Sequence, residues 1–162
     1  MRRGLLLLSA LVALAIVPAA VGTKPLREVH SSQPDVVVAD QCAFPVLGHI
    51  NGGEIITTFF DRTGNPLRQI GVFPGNTLTL TNLDTGKSIS VVSTGAFHGQ
   101  LNPDGSGSFS STGPGPVVPN PVTGEPGIWY LRGRLSASFD AEGNESSANV
   151  VGNLINLCPA LA

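Results

Sequence analysis

The sequence carries little charge. Only 9 basic and 11 acidic side chains are present among 162 residues, and no histidine- or lysine-rich run adds to them. The few basic residues are scattered, whereas nucleic acid and anionic lipid are bound by concentrated basic stripes. The composition therefore predicts that nucleic acid is not a partner.

A membrane-spanning segment is also missing. The longest apolar run, Leu5 to Val17, is shorter than the roughly 20 residues needed to cross a bilayer. It follows Arg2 and Arg3 and precedes small residues up to Gly22, which is the order of a secretory signal peptide. We therefore predict a signal peptide over residues 1–22, cleavage, secretion, and no stable membrane anchor in the mature protein.

Cysteine is scarce, and the two that occur lie far apart. In an oxidising compartment the isolated pair Cys42 and Cys158 is most simply a disulfide. Such a bond closes a loop over residues 42–158, and we therefore predict a single β-domain over residues 42–162. Residues 23–41 are left outside as a flexible tail, with Val36 to Val38 able to add an edge strand.

Helical periodicity is absent after the signal peptide. The chain instead repeats short runs rich in β-branched and aromatic residues, each followed by a turn signal, which is typical of an all-β domain. Glycines within these runs indicate bends in a curling sheet: Gly48, Gly71, Gly99, Gly133 and Gly152. We predict an antiparallel β-barrel of about eight strands, with a two-sheet β-sandwich as the alternative.

Two regions give more specific expectations. Residues 128–139 alternate between an apolar side that begins at Trp129 and a polar side that begins at Tyr130. We therefore expect the apolar side to be buried and the polar side to be exposed to solvent. Residues 113–127 contain five prolines and are predicted to form a long surface loop, because proline cannot donate to a central ladder.

The stretch "LTLTNLDTGKSISVV" contains fragments of two catalytic motifs. Gly86-Lys87-Ser88 resembles the end of a phosphate-binding loop, but the required earlier glycine is replaced by Thr81 and no helix pattern follows. Asp84-Thr85-Gly86 is the tripeptide of aspartic proteases, which pair two carboxylates sharing one proton. A four-residue turn, with Asp84 bonding its own backbone downstream and Gly86 at positive φ, explains every one of these residues, and we predict this turn in preference to a protease site.

Metal-binding patterns are incomplete. His30, His49 and His98 have no ligand spacing between them. Asp140, Glu142 and Asn144 alternate as in a calcium loop, but the sixth-position glycine and the bidentate glutamate at position twelve are missing. We predict a hairpin turn there, and we assign no metal ligand, cofactor or catalytic residue.

Four segments together resemble a group of small secreted actinobacterial β-rich proteins to which no activity is assigned. They are "CAFPV", "TLTNLDTGKS", "DAEGN" and "LINLCPALA". The resemblance implies export and one β-domain and brings no catalytic residue with it.

The function predicted from the sequence is therefore binding without catalysis. The expected ligand is a small apolar molecule inside the barrel, or an extracellular or cell-envelope partner bound by the loops. The alternatives are a retroviral-type aspartic protease that uses Asp84, or another enzyme acting in the barrel cavity. The oligomeric state is left open.

Overall fold

A computed structural model of the protein describes residues 24–162, with Ser146 described by its backbone alone. The predicted signal peptide, residues 1–22, lies outside the described residues. The described chain forms eleven strands and one short helix. These are β1 (Leu26–His30), β2 (Val36–Val38), β3 (Val46–Asn51), β4 (Glu54–Phe60), β5 (Pro66–Phe73), β6 (Thr77–Asn82), β7 (Ser88–Val92), β8 (Gly95–Leu101), β9 (Gly107–Val117), β10 (Trp129–Phe139), β11 (Glu145–Asn156) and α1 (Cys158–Leu161).

The strands are arranged in two antiparallel sheets. The larger sheet has seven strands in the order β1-β4-β5-β8-β9-β10-β11, and the smaller has four in the order β2-β3-β6-β7. The prediction of an all-β antiparallel domain is confirmed. Residues 24–162 contain eleven strands rather than about eight, because segments expected to be irregular also pair.

The segment expected to be a flexible tail contributes a strand to each sheet. β1 pairs with β4, and β2 pairs with β3 through Val36, Val37 and Val38. The edge strand expected at Val36 to Val38 is therefore present. Both new strands lie at sheet edges, where a short segment can pair on one side and leave its other side to solvent.

The proline-rich segment was also expected to be irregular, and this prediction is wrong for its first part. β9 extends to Val117 and pairs with β10 along its whole length, including Pro114 opposite Arg132 and Pro116 opposite Tyr130. The pairing of β9 with β8 stops at Thr112. The two prolines therefore lie where β9 has a partner on one side only, and their missing N–H groups interrupt no ladder on the other side.

The main apolar core lies between the small sheet and one end of the large sheet. Alternation in β6 turns Leu78 and Leu80 inward and leaves three threonines on the outside. The buried core residues are Val46, Leu78, Leu80, Ile128, Tyr130, Leu157 and Leu161. Tyr130, expected on the wet side of β10, is only 4% exposed because the small sheet covers it, and its hydroxyl donates to the Val92 carbonyl oxygen at 2.8 Å.

The predicted disulfide between Cys42 and Cys158 is confirmed, with Cα atoms 5.5 Å apart. It fastens the short helix α1 beside the core, where Leu161 is fully buried. The buried Asn82 adds a second attachment, since its Nδ2 donates to the Leu161 carbonyl oxygen at 3.0 Å. The last turn of the chain is therefore held by one covalent bond and one buried hydrogen bond.

Four glycines lie side by side across β8, β9, β10 and β11, and we call them the glycine row: Gly95, Gly113, Gly133 and Gly152. Gly133 is in register with Gly113 on one side and Gly152 on the other. At Gly113, φ is +105°, which is rarely open to residues with a side chain. The expected bend glycines Gly133 and Gly152 both belong to this row, which separates the covered end of β10 from its exposed end.

Three hairpins at one end of the large sheet are closed by aspartates. Asp61 accepts hydrogen bonds from the Thr63 hydroxyl, the Thr63 N–H and the Asn65 N–H at 2.7 to 2.9 Å. These bonds, the Thr63 hydroxyl first, lower the pKa of Asp61 to about 2. Hydrogen bonds from Ser106 and Asn144 likewise lower the pKa values of Asp104 and Asp140. The turn predicted at residues 140–144 is confirmed, since Gly143 N–H donates to the Asp140 carbonyl oxygen.

These turns should make the fold sensitive to acid. Because the folded pKa of Asp61 lies below its ordinary value of 3.8, the stabilisation is present above about pH 4 and is lost as the pH falls toward 2. We expect the melting temperature to fall between pH 5 and pH 2, and to fall less steeply in an Asp61→Asn/Asp140→Asn variant. Melting curves over this pH range measure both slopes, and equal slopes would contradict the assignment.

Candidate functional site

The aspartate of the protease-like tripeptide lies at an exposed hairpin tip between β6 and β7. The turn is closed by Asn82, whose N–H donates to the Lys87 carbonyl oxygen and whose carbonyl oxygen accepts from Gly86. The Asn82 side-chain oxygen also accepts from the N–H groups of Asp84 and Thr85 at 2.9 and 3.3 Å. The prediction that the Asp84 side chain makes the hydrogen bonds of this turn is therefore wrong. The Asn82 side chain makes them instead.

The same turn occurs a second time in the chain. Asn120 closes residues 120–125 with matching hydrogen bonds. Its side-chain oxygen accepts from the N–H groups of Val122 and Thr123. Its carbonyl oxygen accepts from the Gly124 N–H, and its own N–H donates to the Glu125 carbonyl oxygen. The shared pattern is Asn-x-x-Thr-Gly, and Val122 occupies the position of Asp84. The tripeptide at residues 84–86 thus has a structural explanation in which the carboxylate has no part.

The three histidines are not brought together. His30 lies in the edge strand β1, and His49 is 2.6 Å from the Asp35 carboxylate on the small sheet. His98 lies in β8 of the large sheet. Among residues 24–162, no group of three or more histidine, cysteine or acidic side chains is arranged to hold a metal ion.

A polar surface remains where the small sheet ends. The side of β10 that carries the buried Tyr130 continues past the glycine row to Arg134, Ser136 and Ser138, which are exposed or half-buried. The opposite side of the same strand is buried through Leu131, Leu135 and Ala137. The side of β10 that carries Tyr130 is therefore covered by the small sheet near Tyr130 and accessible to solvent from Arg134 to Ser138.

Strand register extends this surface across five strands. Residues in register lie on the same side of a sheet. One row crosses it through Arg68, Gln100, Ser108, Ser138 and Ser147. The next row continues through His98, Ser110, Ser136 and Asn149. We call these two rows, together with Arg134, the open face.

The open face is concave enough to hold a ligand. It surrounds a shallow depression of about 310 Å³ that is bordered by Arg68 on one side and Arg134 on the other. A second open depression, of about 500 Å³, adjoins it beyond the glycine row, where Arg132, Tyr130 and Val92 form part of the wall. Gly133 of the second depression and Arg134 of the first are consecutive residues of β10, and we call the two neighbouring depressions together the trough. Hydroxyl and amide side chains line the first depression, whereas Gly113, Pro114 and Gly133 lie beside Arg132 in the second.

Two arginines at the trough are stacked on aromatic rings. The Arg68 guanidinium lies 4.1 Å from the centre of the Phe59 ring, and that of Arg132 lies 5.4 Å from the Tyr130 ring centre. Stacking uses the flat face of a guanidinium and leaves its in-plane N–H donors available. No arginine of residues 24–162 lies within salt-bridge distance of a carboxylate.

The open face was not predicted from the sequence. Arg68 and Arg134 belong to β5 and β10, which are separated by β8 and β9 in the sheet and by more than sixty residues in the chain. The alternation in residues 128–139 did indicate that Arg134, Ser136 and Ser138 share a wet side. The pairing partners that complete the surface carry no local sequence signal.

Comparisons with known proteins add no relative: no protein-family model, curated protein or solved structure matches the chain. Within residues 24–162, no helix is long and apolar enough to cross a membrane.

Proposed function

We propose that this protein is a secreted, non-catalytic domain that binds an extracellular or cell-envelope glycan along the open face. The observation that carries the proposal is the exposure of hydroxyl, amide and guanidinium groups on one side of a strand whose other side is core. Serine, asparagine and glutamine both donate and accept hydrogen bonds, as sugar hydroxyls do. Two shallow depressions that follow each other along β10 suit a chain better than a small compact molecule.

The interior of the large sheet is less suited to the small apolar ligand expected from the sequence. We infer that this sheet curls around its apolar side as a half-open barrel, because Ile56, Leu131 and Leu135 are buried there without a second layer over them. Phenylalanine rings occupy this side and lie against glycines: a Cβ on Gly71 would collide with Phe97. Such packing leaves the outer surface as the better binding site.

Secretion is supported by the bond between Cys42 and Cys158. Disulfides persist in oxidising compartments and are rare in the cytosol. Together with the signal-peptide pattern of residues 1–22, the bond supports a role outside the cell. A glycan of the envelope or the surroundings is then the kind of partner that the domain would meet.

A paired substitution tests the proposal. We expect Ser110→Leu/Ser136→Leu to weaken glycan retention at least tenfold, because these neighbours form the trough floor and leucine removes both hydroxyls while filling the depression. The measurement is affinity electrophoresis of protein harvested from the medium through gels containing neutral or acidic polysaccharides. The matched control is Thr79→Leu/Ser90→Leu, a hydroxyl pair 2.9 Å apart on the outer side of the small sheet.

The control variant should be retained as well as the unmodified protein, and both variants should keep the unmodified urea midpoint. If no polysaccharide retards the unmodified protein, the proposed function is wrong. It is equally wrong if the control variant loses retention while the Ser110 and Ser136 variant keeps it.

A further inference from the structure

We propose that the trough selects anionic polysaccharides, polymers whose repeating units carry carboxylate or phosphate, through Arg68 and Arg134 on the open face and Arg132 beyond the glycine row. This inference rests on the proposed function and adds the charge of the ligand. It starts from three guanidinium groups that line the two neighbouring depressions of the trough and make no salt bridge within residues 24–162.

The guanidinium groups are held ready for an anion. Arg68 and Arg132 are stacked on Phe59 and Tyr130, so each loses less conformational freedom on binding than a freely rotating arginine. A stacked guanidinium still presents two parallel N–H donors, which match the two oxygens of a carboxylate or phosphate. The aromatic rings thus fix the positions of the guanidinium N–H donors, and no salt bridge within residues 24–162 occupies these donors.

No carboxylate of residues 24–162 lies within salt-bridge distance of these arginines. Asp61 and Asp140, in the hairpin turns at the Ser138 end of the sheet, are bonded within their own turns, Asp61 to Thr63 and Asn65 and Asp140 to Asn144. Glu145, the first residue of β11, lies two residues before Ser147 and makes no salt bridge either. In the two rows of the open face every charged side chain is basic. The local charge of the trough therefore differs in sign from the formal net charge of −2 of the whole chain.

The separation of the arginines indicates a polymer. Arg68 is in register with Ser138 across three strand spacings, and Arg134 lies four residues further along β10. With strands about 4.8 Å apart and a rise of about 3.4 Å per residue, the two backbones are roughly 15–20 Å apart. The Arg68 guanidinium lies over Phe59 of β4, on the side of β5 away from β10, so one anionic group does not contact both guanidinium groups in this arrangement. A chain with repeated charges can engage them together, and each contact then raises the effective concentration for the next.

The floor between the arginines favours a polysaccharide over other polyanions. It consists of short hydroxyl and amide side chains such as Ser110, Ser136 and Asn149, which match sugar hydroxyls and offer no aromatic platform for bases. Nucleic acid is accordingly a contradicting outcome of the test below.

The test compares an acidic polysaccharide with its uncharged methyl ester and with two other polyanions. We expect polygalacturonate to bind protein harvested from the medium, its fully methyl-esterified form to bind at least tenfold more weakly, and poly(glycerol phosphate) to serve as the second anionic probe. Binding to at least one anionic probe should weaken at least tenfold between 50 and 500 mM salt, because exposed charges are screened. Single-stranded DNA of equal charge should bind more weakly than the better anionic probe.

Charge-matched variants assign the effect to the trough. Arg68→Gln/Arg134→Gln should weaken binding at least tenfold and flatten its salt dependence. Lys24→Gln/Lys87→Gln removes the same charge from the amino-terminal end and from the β6–β7 turn of the small sheet, and it should change binding less than twofold. Arg68→Lys/Arg134→Lys should fall between them, because lysine keeps the charge and loses the paired donors. Urea midpoints of all three variants should equal that of the unmodified protein.

Failure of this inference is distinguishable from failure of the proposed function. Equal binding of neutral and anionic polymers that is lost in Ser110→Leu/Ser136→Leu would overturn the anionic selectivity and leave glycan binding standing. Salt-sensitive binding that is unchanged in Arg68→Gln/Arg134→Gln, or preference for DNA, would overturn the inference as well. Binding to no polymer would overturn both.

Discussion

We expect Gly113→Ala to lower the free energy of unfolding by about 3 to 5 kcal/mol, combining the strain of an unfavourable φ with a steric clash. At φ +105° a Cβ on residue 113 would collide with the Thr94 carbonyl oxygen and lie 2.8 Å from the Gly95 Cα. Both neighbours are backbone atoms, which cannot turn aside as a flexible side chain can. Urea unfolding followed by tyrosine and tryptophan fluorescence measures the loss.

Gly64→Ala is the matched control for this prediction. Gly64 has φ +89° in the hairpin between β4 and β5, and a Cβ there would meet no atom within 4 Å. Its substitution should cost about 1 kcal/mol, the strain of the left-handed conformation alone. Equal urea midpoints for the two variants would contradict the prediction, because they would show that the close backbone contacts at Gly113 add nothing to the cost of a side chain there.

The second large effect is expected from loss of the disulfide. A Cys42→Ala/Cys158→Ala variant should lose about 2 to 5 kcal/mol of unfolding free energy, because the bond closes a long loop and restricts the unfolded chain. The two residues are 116 positions apart, near the long end of such loops. The measurement compares the urea midpoints of the variant and the unmodified protein. The difference in unfolding free energy is calculated from them with one common dependence on urea concentration.

Reduction of the unmodified protein provides the control. With dithiothreitol present, its urea midpoint should fall to that of the double variant, and the variant itself should not respond. An oxidised protein no more stable than the variant would show that the remaining attachments of α1, such as the hydrogen bond from Asn82 to Leu161, suffice.

The sequence allowed the strands to be predicted more fully than their partners. Alternation identified β6 and β10, because side chains on successive residues of a strand point to opposite sides. The pairing of β5 with β8, or of β1 with β4, joins segments that are distant in the chain. Such pairing depends on tertiary packing, so the strands could be predicted while their order in two sheets could not.

The candidate site shows the same limit. Arg134, Ser136 and Ser138 were expected on one wet side, and their partners Ser108 and Arg68 became evident only through the register. Tyr130 was assigned to the wet side as well, since alternation cannot show that a second sheet covers one end of a strand. The turn at residues 82–87 did leave a readable signal, the repeated Asn-x-x-Thr-Gly pattern, which pointed to Asn82 rather than Asp84.

The bond between Cys42 and Cys158 encloses every hairpin from β3 to β11. Exposed hairpin tips are the preferred places for proteases to cut a folded chain. A single cut at any of these tips would leave two fragments that stay covalently joined and paired in the same sheets. The domain can therefore be clipped once by proteases in its surroundings without shedding a piece, and Arg68 and Arg134 would remain on one covalent unit.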